Sequence, residues 1–431
     1  MNIHVGSSPL IFLTFEVGSR ELLPRTALAC ALARRGATAV VSHKRDLEVS
    51  FSGLKAGSLQ GSVYVYKDCN REAIRYLGRA KELGMVTVTT DEELINFLDV
   101  VPSVEAHINQ ASIPFVDFHF AGSETTADFS KNLGLQTVEA GNLRIGLAEL
   151  IGRTTVLTGD KPWLVTSPTG TIFNNSPLGL QLRINKQLGV NVFETVRDII
   201  TAVRDDANTL VILLSLLRLL NDKQINVRFR PHPSEDFTLA ELLGAELKFS
   251  VSNSVDSSSI SDILKSRGVV GFNCATLLEA YAMNIPIINL GKFRSDGIPT
   301  ATGKFIESVE FNRILPIFDY RLESLTSLQP NFGIKGLNKH LLIGNIFDRW
   351  CKYLLGLAQE KCIRPVFELD LQSRQLDKYQ SRKRGRLHPL ELQAMLLLLK
   401  TDIARCGAKV TQVDESTIIA EPVGQMELRK R

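Results

Sequence analysis

Short apolar runs alternate with helical patterns along the chain, and this alternation restricts the fold more than any other feature. In the first part of the sequence, apolar runs fall at residues 11–15, 37–41, 63–66, 86–89, 115–120 and 135–138, with helical patterns at 21–35 and 72–83. Strands that alternate with helices form βαβ units, whose strands run parallel. The sequence therefore predicts an α/β domain with a parallel sheet in this part of the chain.

The same alternation returns in the second part of the chain. Strand patterns fall at residues 163–166, 227–230, 247–250, 268–271 and 285–289, and helical patterns at about 193–220, 259–266 and 276–283. At 431 residues, the chain is longer than one hydrophobic core usually supports. We therefore predict two doubly wound Rossmann-like domains facing a central cleft, 1–148 and 149–335, and a helical C-terminal segment, 336–431, that packs on them. Ligands bind such sheets at the carboxyl ends of the strands.

Charge and cysteine content exclude several classes of protein. The formal net charge is only +4, and two basic runs, residues 382–386 and 429–431, supply much of it, so no nucleic-acid partner is expected. The six cysteines have neither CxxC nor metal-like spacing, which predicts free thiols and no zinc site. Because the sequence shows no signal peptide and no long apolar run, we expect a cytoplasmic protein. Any membrane contact would be peripheral, through the run 382–386.

A turn rich in proline and charge follows the strand pattern at 227–230. Pro231 and Pro233 fix their own φ angles and hold the preceding residues extended, so His232 is presented rigidly outside any helix. Beside Arg230, the imidazole of His232 could donate to a nucleotide phosphate and offset charge on a leaving group. Arg230, His232 and Pro233 are therefore donor-site candidates, with His232 also catalytic. The alternative is a loop histidine that only ends the strand.

A second turn follows the strand pattern at 268–271 and leads into a helix. Thr276 is the expected N-cap, and Glu279 stands three residues later, which is the spacing of a capping box. In a functional interpretation, the free backbone N–H groups of this helix start hold a phosphate, and Glu279 binds ribose hydroxyls or the base. The two interpretations are compatible. The donor-binding candidates here are Asn273, Thr276 and Glu279.

Charged residues also follow the strand patterns of the first part of the chain. Asp91 and Glu92 are candidates for a general base or nucleophile, although the helix dipole alone also favours acidic residues in a first helical turn. Glu16, after the first of these strands, is a further catalytic candidate. The acceptor-side candidates are Arg20, Lys44 and Lys67. The alternative for the lysines is simple exposure to solvent.

Several common catalytic motifs are absent from the sequence. It contains no G-x-G-x-x-G, Walker, G-x-S-x-G or H-E-x-x-H pattern, which removes the commonest dinucleotide, NTPase, hydrolase and zinc-protease sites. His119 lies in an apolar strand pattern, so we expect it to be a buried structural histidine. The chemistry is therefore expected at the charged residues that follow the strands.

The order of these segments resembles the bacterial surface carbohydrate biosynthesis proteins, glycosyltransferases of the GT-B type. The matching segments lie at 15–22, 35–36, 42–44, 61–67, 90–93, 141–144, 230–233 and 275–279. The Pro-His-Pro turn is also similar to the His-Pro element of CMP-sugar-using transferases, including β-Kdo and sialic acid transferases, and of CDP-glycerol glycerophosphotransferases. The resemblance implies that His232 contacts the donor phosphate and that Asp91 or Glu92 serves the acceptor or the sugar.

The residues and the resemblance together lead us to expect a glycosyltransferase. It would move a sugar from a nucleotide donor, CMP- or CDP-linked, to a growing surface polysaccharide, such as capsule or lipopolysaccharide, or to a lipid-linked glycan. No metal and no cofactor are expected, because Arg230, His232 and the helix start at Thr276 could neutralise the leaving phosphate.

Two other functions remain open from the sequence. A nucleotide-sugar epimerase or hydrolase on the same two-domain frame would consume the donor without an acceptor. A non-catalytic nucleotide-sugar-binding component of a glycan assembly complex would bind the donor without turnover. Two departures from the family's pattern motivate this second alternative. Leu94 stands where a glycine is expected after the acidic residues, and the turn from Gly141 to Gly146 lacks the proline of a Gly-Asn-Pro-Arg pattern.

Overall fold

The computed structural model describes the chain in segments that form two compact units. The described residues are 2–5, 8–92, 94–96, 107–153, 161–168, 196–233, 235–253, 257–293, 300–308, 336–359, 367–370, 408–414 and 417–422. Unit 1 comprises those within 1–92, 107–147 and 341–431, and unit 2 comprises those within 93–106 and 148–340.

Helices and strands alternate through both units. The described strands are β1 (Asn2–Val5), β2 (Leu10–Phe15), β3 (Thr38–His43), β4 (Val63–Tyr66), β5 (Val86–Thr90), β6 (Phe118–Ala121), β7 (Thr137–Glu139), β8 (Trp163–Thr166), β9 (Val227–Arg230), β10 (Ser250–Val251), β11 (Gly268–Gly271), β12 (Ile287–Asn289), β13 (Phe367–Asp370), β14 (Ala408–Asp414) and β15 (Thr417–Pro422). The described helices are α1 (Gly18–Ala33), α2 (Lys44–Ser52), α3 (Ala73–Glu82), α4 (Glu124–Asn132), α5 (Leu143–Gly152), α6 (Val196–Asp222), α7 (Phe237–Leu247), α8 (Ser259–Leu264), α9 (Ala275–Ala282), α10 (Ala301–Phe305), α11 (Leu337–His340) and α12 (Ile346–Gln359). Short 3-10 helices cover Leu94–Asn96, Gln110–Phe115 and Gly291–Phe293.

Unit 1 is built on one large sheet with the strand order β14-β15-β3-β2-β4-β5-β6-β7. The strands from β3 to β7 in this order are parallel, and β15 pairs with β3 in the antiparallel direction. Every residue of β2 is buried, as expected for a parallel strand that is covered on both faces. Helix α1 packs on β3 and buries most of its length. Gly36, with φ of +90°, provides the left-handed turn between them.

Unit 2 is built on a smaller sheet in which all described strands are parallel, with the order β10-β9-β8-β11-β12. Its hydrophobic core joins the strands to the long helix α6. Buried members of this core include Trp163, Phe229, Val270, Leu213 and Leu216. The two parallel sheets with their helices confirm the predicted α/β class.

The strand order reverses once within the parallel part of each sheet. In unit 1, β2 lies between β3 and β4, and in unit 2, β8 lies between β9 and β11. At such a reversal, successive connections leave in opposite directions and open a crevice at the carboxyl ends of the two central strands, where ligands bind. Residues that follow β2 and β4, or β8 and β11, therefore occupy the favoured positions for a site in each unit.

Two of the predicted strands differ from the strands in the structure. Helix α7 continues through Leu247 and ends at Lys248, whose φ is +54°, so the predicted strand at 247–250 is reduced to β10. The predicted strand at 115–120 begins only at Phe118, because a 3-10 helix occupies Gln110–Phe115. In both places a helical turn occupies the residues whose apolar pattern predicted a strand.

The C-terminal segment is not wholly helical, so this part of the prediction is wrong. After α12 come β13, which pairs with β1, and the hairpin of β14 and β15, which extends the unit 1 sheet. Thr417, Ile418 and Ile419 are buried and β-branched, which suits a strand packed on β3. The helical pattern at 390–406 and the basic run at 382–386 lie outside the described residues.

Two further predictions concern thiols and membrane spans. Cys30, Cys69, Cys274 and Cys351 are free thiols, as predicted, and the other two cysteines of the sequence lie outside the described residues. Within the part of the chain that the structure describes, no helix has the length and apolarity needed to cross a membrane.

Candidate functional site

Charged residues that follow the parallel strands of unit 1 gather at one edge of its sheet. Glu16 follows β2, Lys44 follows β3, and Lys67 follows β4. Asp91 and Glu92 follow β5. Because parallel strands point the same way, their carboxyl ends lie along the same edge, and β2 and β4 flank the reversal of strand order. The structure thus brings together five residues that the sequence predicted as site candidates.

Glu16 joins the two lysines of this edge. Its Oε2 lies 3.2 Å from Nζ of Lys44 and 3.4 Å from Nζ of Lys67. Both lysines are buried, so simple exposure to solvent does not describe either of them. Lys44 also donates to Oε2 of Glu72 over 2.7 Å.

Lys44 is held as a buried cation. Burial alone would lower the pKa of Lys44, but the neighbouring carboxylates of Glu16 and Glu72 raise it above the usual value for lysine. Its Nζ also lies over the rings of Tyr66 and Tyr76, 5.8 and 5.6 Å from their centroids. Lys44 therefore stays charged at neutral pH and fixes the position of Glu16.

Lys67 lies among three carboxylates. Besides Glu16, its Nζ is 3.5 Å from Oε1 of Glu21 and 3.7 Å from Oδ2 of Asp68. Glu21, on α1, also accepts a hydrogen bond of 2.8 Å from the backbone N–H of Glu16. These contacts connect the first turn of α1 to the ends of β2 and β4.

Asp91 is a buried carboxyl directly after the end of β5. Its Oδ1 accepts a hydrogen bond of 2.6 Å from the backbone N–H of Gly122, where a Cβ atom would lie only 2.8 Å from that oxygen. Its Oδ2 is buried and has no hydrogen-bond donor among the described residues. Burial raises the pKa of Asp91 to about 7, although hydrogen bonds from Thr126 and Gly122 act in the opposite direction. Asp91 can therefore both take up and release a proton near neutral pH.

Glu92 is paired with a buried arginine. Its Oε1 accepts a hydrogen bond of 2.5 Å from Nη2 of Arg25. Burial raises the pKa of Glu92 to about 7, and the charge of Arg25 opposes this rise. The side chain of Asn142 donates to the main-chain oxygen of Glu92 over 3.3 Å, and it accepts from the backbone N–H of Arg144 over 2.9 Å. The segment 141–144 thereby packs against the carboxyl pair.

Several residues of this edge were not singled out from the sequence. They are Glu21, Arg25, Glu72 and Asn142. Arg25 is fully buried in α1, and a single arginine inside a stretch rich in leucine and alanine was a signal that could have identified it. The predicted candidate Arg20 lies earlier on the same helix and is half-buried.

In unit 2, His232 follows β9 and is exposed. The buried carboxylate of Glu235 fixes the turn, because it accepts hydrogen bonds from Ser167 Oγ over 2.7 Å and from the backbone N–H of His232 over 3.1 Å. The backbone N–H of Glu235 donates in return to the carbonyl of His232 over 2.9 Å. Pro233 is half-buried in the same turn. The imidazole is therefore accessible on a turn whose backbone is tied to β8.

Arg230 points to a different set of partners. Its guanidinium forms an ion pair with Asp262, which is fully buried, and it donates to the carbonyl of Ser257 over 3.0 Å and to Ser257 Oγ over 3.2 Å. Unit 2 itself therefore engages this side chain, and a contact between Arg230 and a donor stays a prediction.

The turn after β11 is organised by asparagines. Asn273 has φ of +53°, a left-handed conformation that asparagine tolerates, and it exchanges hydrogen bonds with Asn289 over 3.0 and 2.9 Å. Helix α9 then begins with Cys274 as its N-cap, so the predicted capping box of Thr276 and Glu279 is wrong. Thr276 instead lies in the first turn of the helix, and Glu279 is fully buried.

His119 is confirmed as a buried structural histidine. Its Nδ1 lies 2.9 Å from Oγ1 of Thr89, on the adjacent strand. Burial lowers the pKa of His119 to about 4, so the ring is neutral at physiological pH.

Solved structures with a similar fold include enzymes that are named for nucleotide-linked compounds or cell-wall polymers. The UDP-GlcNAc 2-epimerase of Methanocaldococcus jannaschii, in complex with UDP-GlcNAc and UDP, is 12% identical, with 80% of this chain and 99% of that chain covered and a TM-score of 0.45. The wall teichoic acid polymerase TagF, with CDPG, is 11% identical, with 83% and 90% covered and a TM-score of 0.49. The UDP-N-acetylglucosamine 2-epimerase of Rickettsia bellii is 11% identical, with 81% and 97% covered and a TM-score of 0.44.

No protein-family model matches the sequence, and no curated protein matches it significantly. At the identities of the similar structures, function has to be inferred from this chain's own residues.

Proposed function

We propose that the chain is a nucleotide-sugar enzyme of the GT-B type, a glycosyltransferase that uses a CMP- or CDP-linked donor. In this proposal unit 2 binds the donor, and unit 1 supplies the carboxyl group that activates a hydroxyl of the acceptor. The acceptor is a surface polysaccharide or a lipid-linked glycan. The resemblance of the sequence to surface carbohydrate biosynthesis proteins supports this choice of substrates.

The observation that carries the proposal is the buried carboxyl pair after β5. A general base is most effective when its pKa lies near the working pH, and burial raises the pKa of Asp91 and of Glu92 to about 7. The pair lies at the carboxyl edge of a parallel sheet, where such folds bind their ligands. A sugar hydroxyl bound there could transfer its proton to a carboxylate while it attacks the donor.

Two features of unit 2 support donor binding there. His232 is exposed on a turn fixed by Glu235, so its ring could donate a hydrogen bond to a phosphate oxygen without reorganising the backbone. Thr276 lies in the first turn of α9, where free backbone N–H groups and the helix dipole favour an anion. These groups would offset the charge of a leaving nucleotide, and the absence of any metal requirement remains part of the proposal.

A second candidate is an epimerase or hydrolase that acts on the donor alone. It is favoured by the presence of two adjacent carboxyls with a pKa of about 7, since one could act as an acid while the other acts as a base. The two candidates differ in whether an acceptor is needed for turnover of the donor.

The test measures nucleotide release from CMP-, CDP-, UDP- and GDP-linked sugars, with and without a lipid-linked or oligosaccharide acceptor. Acceptor-dependent release of CMP or CDP supports the transferase, and release without an acceptor supports the epimerase or hydrolase. Asp91→Asn should lower turnover about 10²- to 10⁴-fold, the usual contribution of a general base. Asp128→Asn, at an exposed aspartate on α4, is the matched control and should keep full activity. Donor binding without any turnover would contradict the enzymatic proposal.

Membrane contact is a separate part of the proposal. A lipid-linked acceptor requires the protein to approach an anionic membrane surface, and the basic run at 382–386 could provide the attraction. Binding to vesicles that contain phosphatidylglycerol should weaken as salt is added. Absence of binding at low salt would rule out this role of the basic run.

A further inference from the structure

Arg25 occupies an unusual position for an arginine. It lies inside α1, none of its side chain is exposed, and its neighbours along the helix are mostly apolar. A guanidinium is costly to bury unless it is paired. The described partner of Arg25 is Glu92, at 2.5 Å between Nη2 and Oε1. The position of this arginine is therefore explained by the carboxyl pair rather than by packing alone.

The surroundings of the two adjacent carboxyls differ in charge. Three cations act on Glu92, namely Arg25 on α1, Lys67 after β4 and Arg144 on α5, against one further carboxylate, Glu21. The described hydrogen bonds of Asp91 come instead from neutral groups, the backbone N–H of Gly122 and the side chain of Thr126. The carboxylate of Glu92 also acts on Asp91 and favours its protonated form.

Two neighbouring carboxyls do not ionise independently. The loss of the first proton raises the cost of losing the second, and the group with cationic neighbours gives up its proton first. A guanidinium in a buried contact of 2.5 Å stabilises the charged form of its partner strongly. Glu92 is therefore the group that ionises first, and its charge then helps Asp91 to keep its proton until the pH is higher.

We infer that Arg25 is a positioning residue that makes Glu92 ionise before Asp91 and thereby makes Asp91 the carboxyl that exchanges a proton with the substrate. The inference rests on the proposed function for the reaction itself, but the order of ionisation is a property of the free protein. In the reaction, ionised Asp91 accepts the proton of the attacking hydroxyl as the new glycosidic bond forms. The bond to the leaving nucleotide breaks with its electron pair, and the proton later passes from Asp91 to solvent. Glu92, paired with Arg25, takes no part in this proton transfer.

The test is a carboxyl titration by ¹³C NMR of protein labelled at aspartate and glutamate side chains. Asp91→Asn and Glu92→Gln identify the two signals. In the wild type, Glu92 should ionise at a lower pH than Asp91. In Glu92→Gln, the pKa of Asp91 should fall, because the neighbouring negative charge is gone. Ionisation of Asp91 before Glu92 in the wild type would overturn the inference without any variant of Arg25.

Variants of Arg25 give the second half of the test. Arg25→Gln should raise the pKa of Glu92 and lower that of Asp91, so that the order of ionisation reverses, whereas Arg25→Lys should keep the order. Arg35→Gln, at an exposed arginine just beyond the same helix, is the matched control and should leave both titrations unchanged. An unchanged order in folded Arg25→Gln would overturn the inference. If Arg25→Gln does not fold, the order in which Glu92 and Asp91 ionise in the wild type and the titration of Asp91 in Glu92→Gln still test the inference.

Kinetics separate this inference from the proposed function. With an active donor and acceptor, the acidic limb of the pH profile of kcat/KM should move in Arg25→Gln and be restored in Arg25→Lys, which a purely structural role would not produce. The predicted titration order with no turnover of any nucleotide sugar would leave the roles of Arg25 and Glu92 standing and remove the proposed function. Turnover of a nucleotide sugar by a protein in which Asp91 ionises before Glu92 would keep the proposed function and overturn the roles inferred for Arg25 and Glu92.

Discussion

At the scale of single residues, unit 1 concentrates buried charge where its strands end. Glu16 is paired with both Lys44 and Lys67, whereas Asp91 and Glu92 have pKa values raised to about 7 by burial. Structural ion pairs explain the first group, because each charge has an opposite neighbour. A buried carboxyl whose pKa is raised to about 7 lowers the stability of the folded protein at neutral pH. Such destabilising groups are found mainly at functional sites.

This destabilisation predicts how stability depends on pH. The pKa of Asp91 rises from 3.8 to about 7 on folding, so the folded protein keeps a proton that the unfolded chain has lost within this window. Stability should therefore fall as the pH rises from 3.8 to about 7, by up to about 1.4 kcal/mol per pH unit for this group, and then level off. Asp91→Asn removes the effect, so the difference in unfolding free energy between variant and wild type should grow across this window.

Denaturant titrations at several pH values measure this difference. Asp128→Asn, whose carboxylate is 77% exposed, is the control and should show no comparable slope. A difference between Asp91→Asn and the wild type that stays constant across the window would contradict the raised pKa of Asp91.

Arg230 and Asp262 form a buried ion pair in unit 2. Asp262→Asn leaves the buried guanidinium of Arg230 without its counter-charge, which should destabilise unit 2 by about 3–5 kcal/mol. Asp348→Asn breaks an exposed pair with Arg35 and should cost at most about 1 kcal/mol. The fluorescence of Trp163, measured in a Trp350→Phe background, reports unfolding of unit 2. Equal, small effects of the two substitutions would show that Arg230 does not depend on Asp262 and is available for another partner.

At the scale of elements, the hairpin of β14 and β15 completes the unit 1 sheet. Ile419 pairs with Val40 of β3 and is 2% exposed in the hydrophobic core. Ile419→Ala should therefore destabilise unit 1 by about 2–4 kcal/mol through lost burial and the cavity it leaves. Unfolding followed by the fluorescence of Trp350, in a Trp163→Phe background, measures this, with Glu421→Ala on the same strand as the control. A loss below about 1 kcal/mol would mean that the hairpin is dispensable for the core.

The sequence correctly predicted the strands and helices that can be recognised from the pattern of neighbouring residues. The parallel strands are short apolar runs between helices, and the residues that follow them were identified because chain direction alone places them at one edge of the sheet. β15 could not be identified this way, since its pairing with β3 joins residues about 380 positions apart and has no local signature. Arg25 was missed for a related reason, because its burial against Glu92 depends on the packing of α1. The start of α9 was misplaced because a left-handed Asn273 lets the helix begin before Thr276.

At the scale of the whole molecule, each unit repeats one arrangement with different chemistry. Both have a parallel sheet with one reversal of strand order, and both carry polar residues at the carboxyl ends of the parallel strands. In unit 1 these residues are buried carboxyls and paired lysines, which suit proton transfer. In unit 2 they are an exposed histidine and a helix start, which suit an anionic phosphate. We propose that unit 2 binds the nucleotide and that unit 1 carries the general base.

A thermal-shift series with CMP, CDP, UDP, GDP and ADP on the wild type, His232→Ala and Asp91→Asn tests this assignment of roles. A ligand that binds only the folded protein raises its melting temperature. We expect CMP or CDP to stabilise the wild type and Asp91→Asn to a similar extent, each relative to its own ligand-free state, and to fail to stabilise His232→Ala. No shift with any nucleotide, or equal shifts in all three proteins, would contradict this assignment.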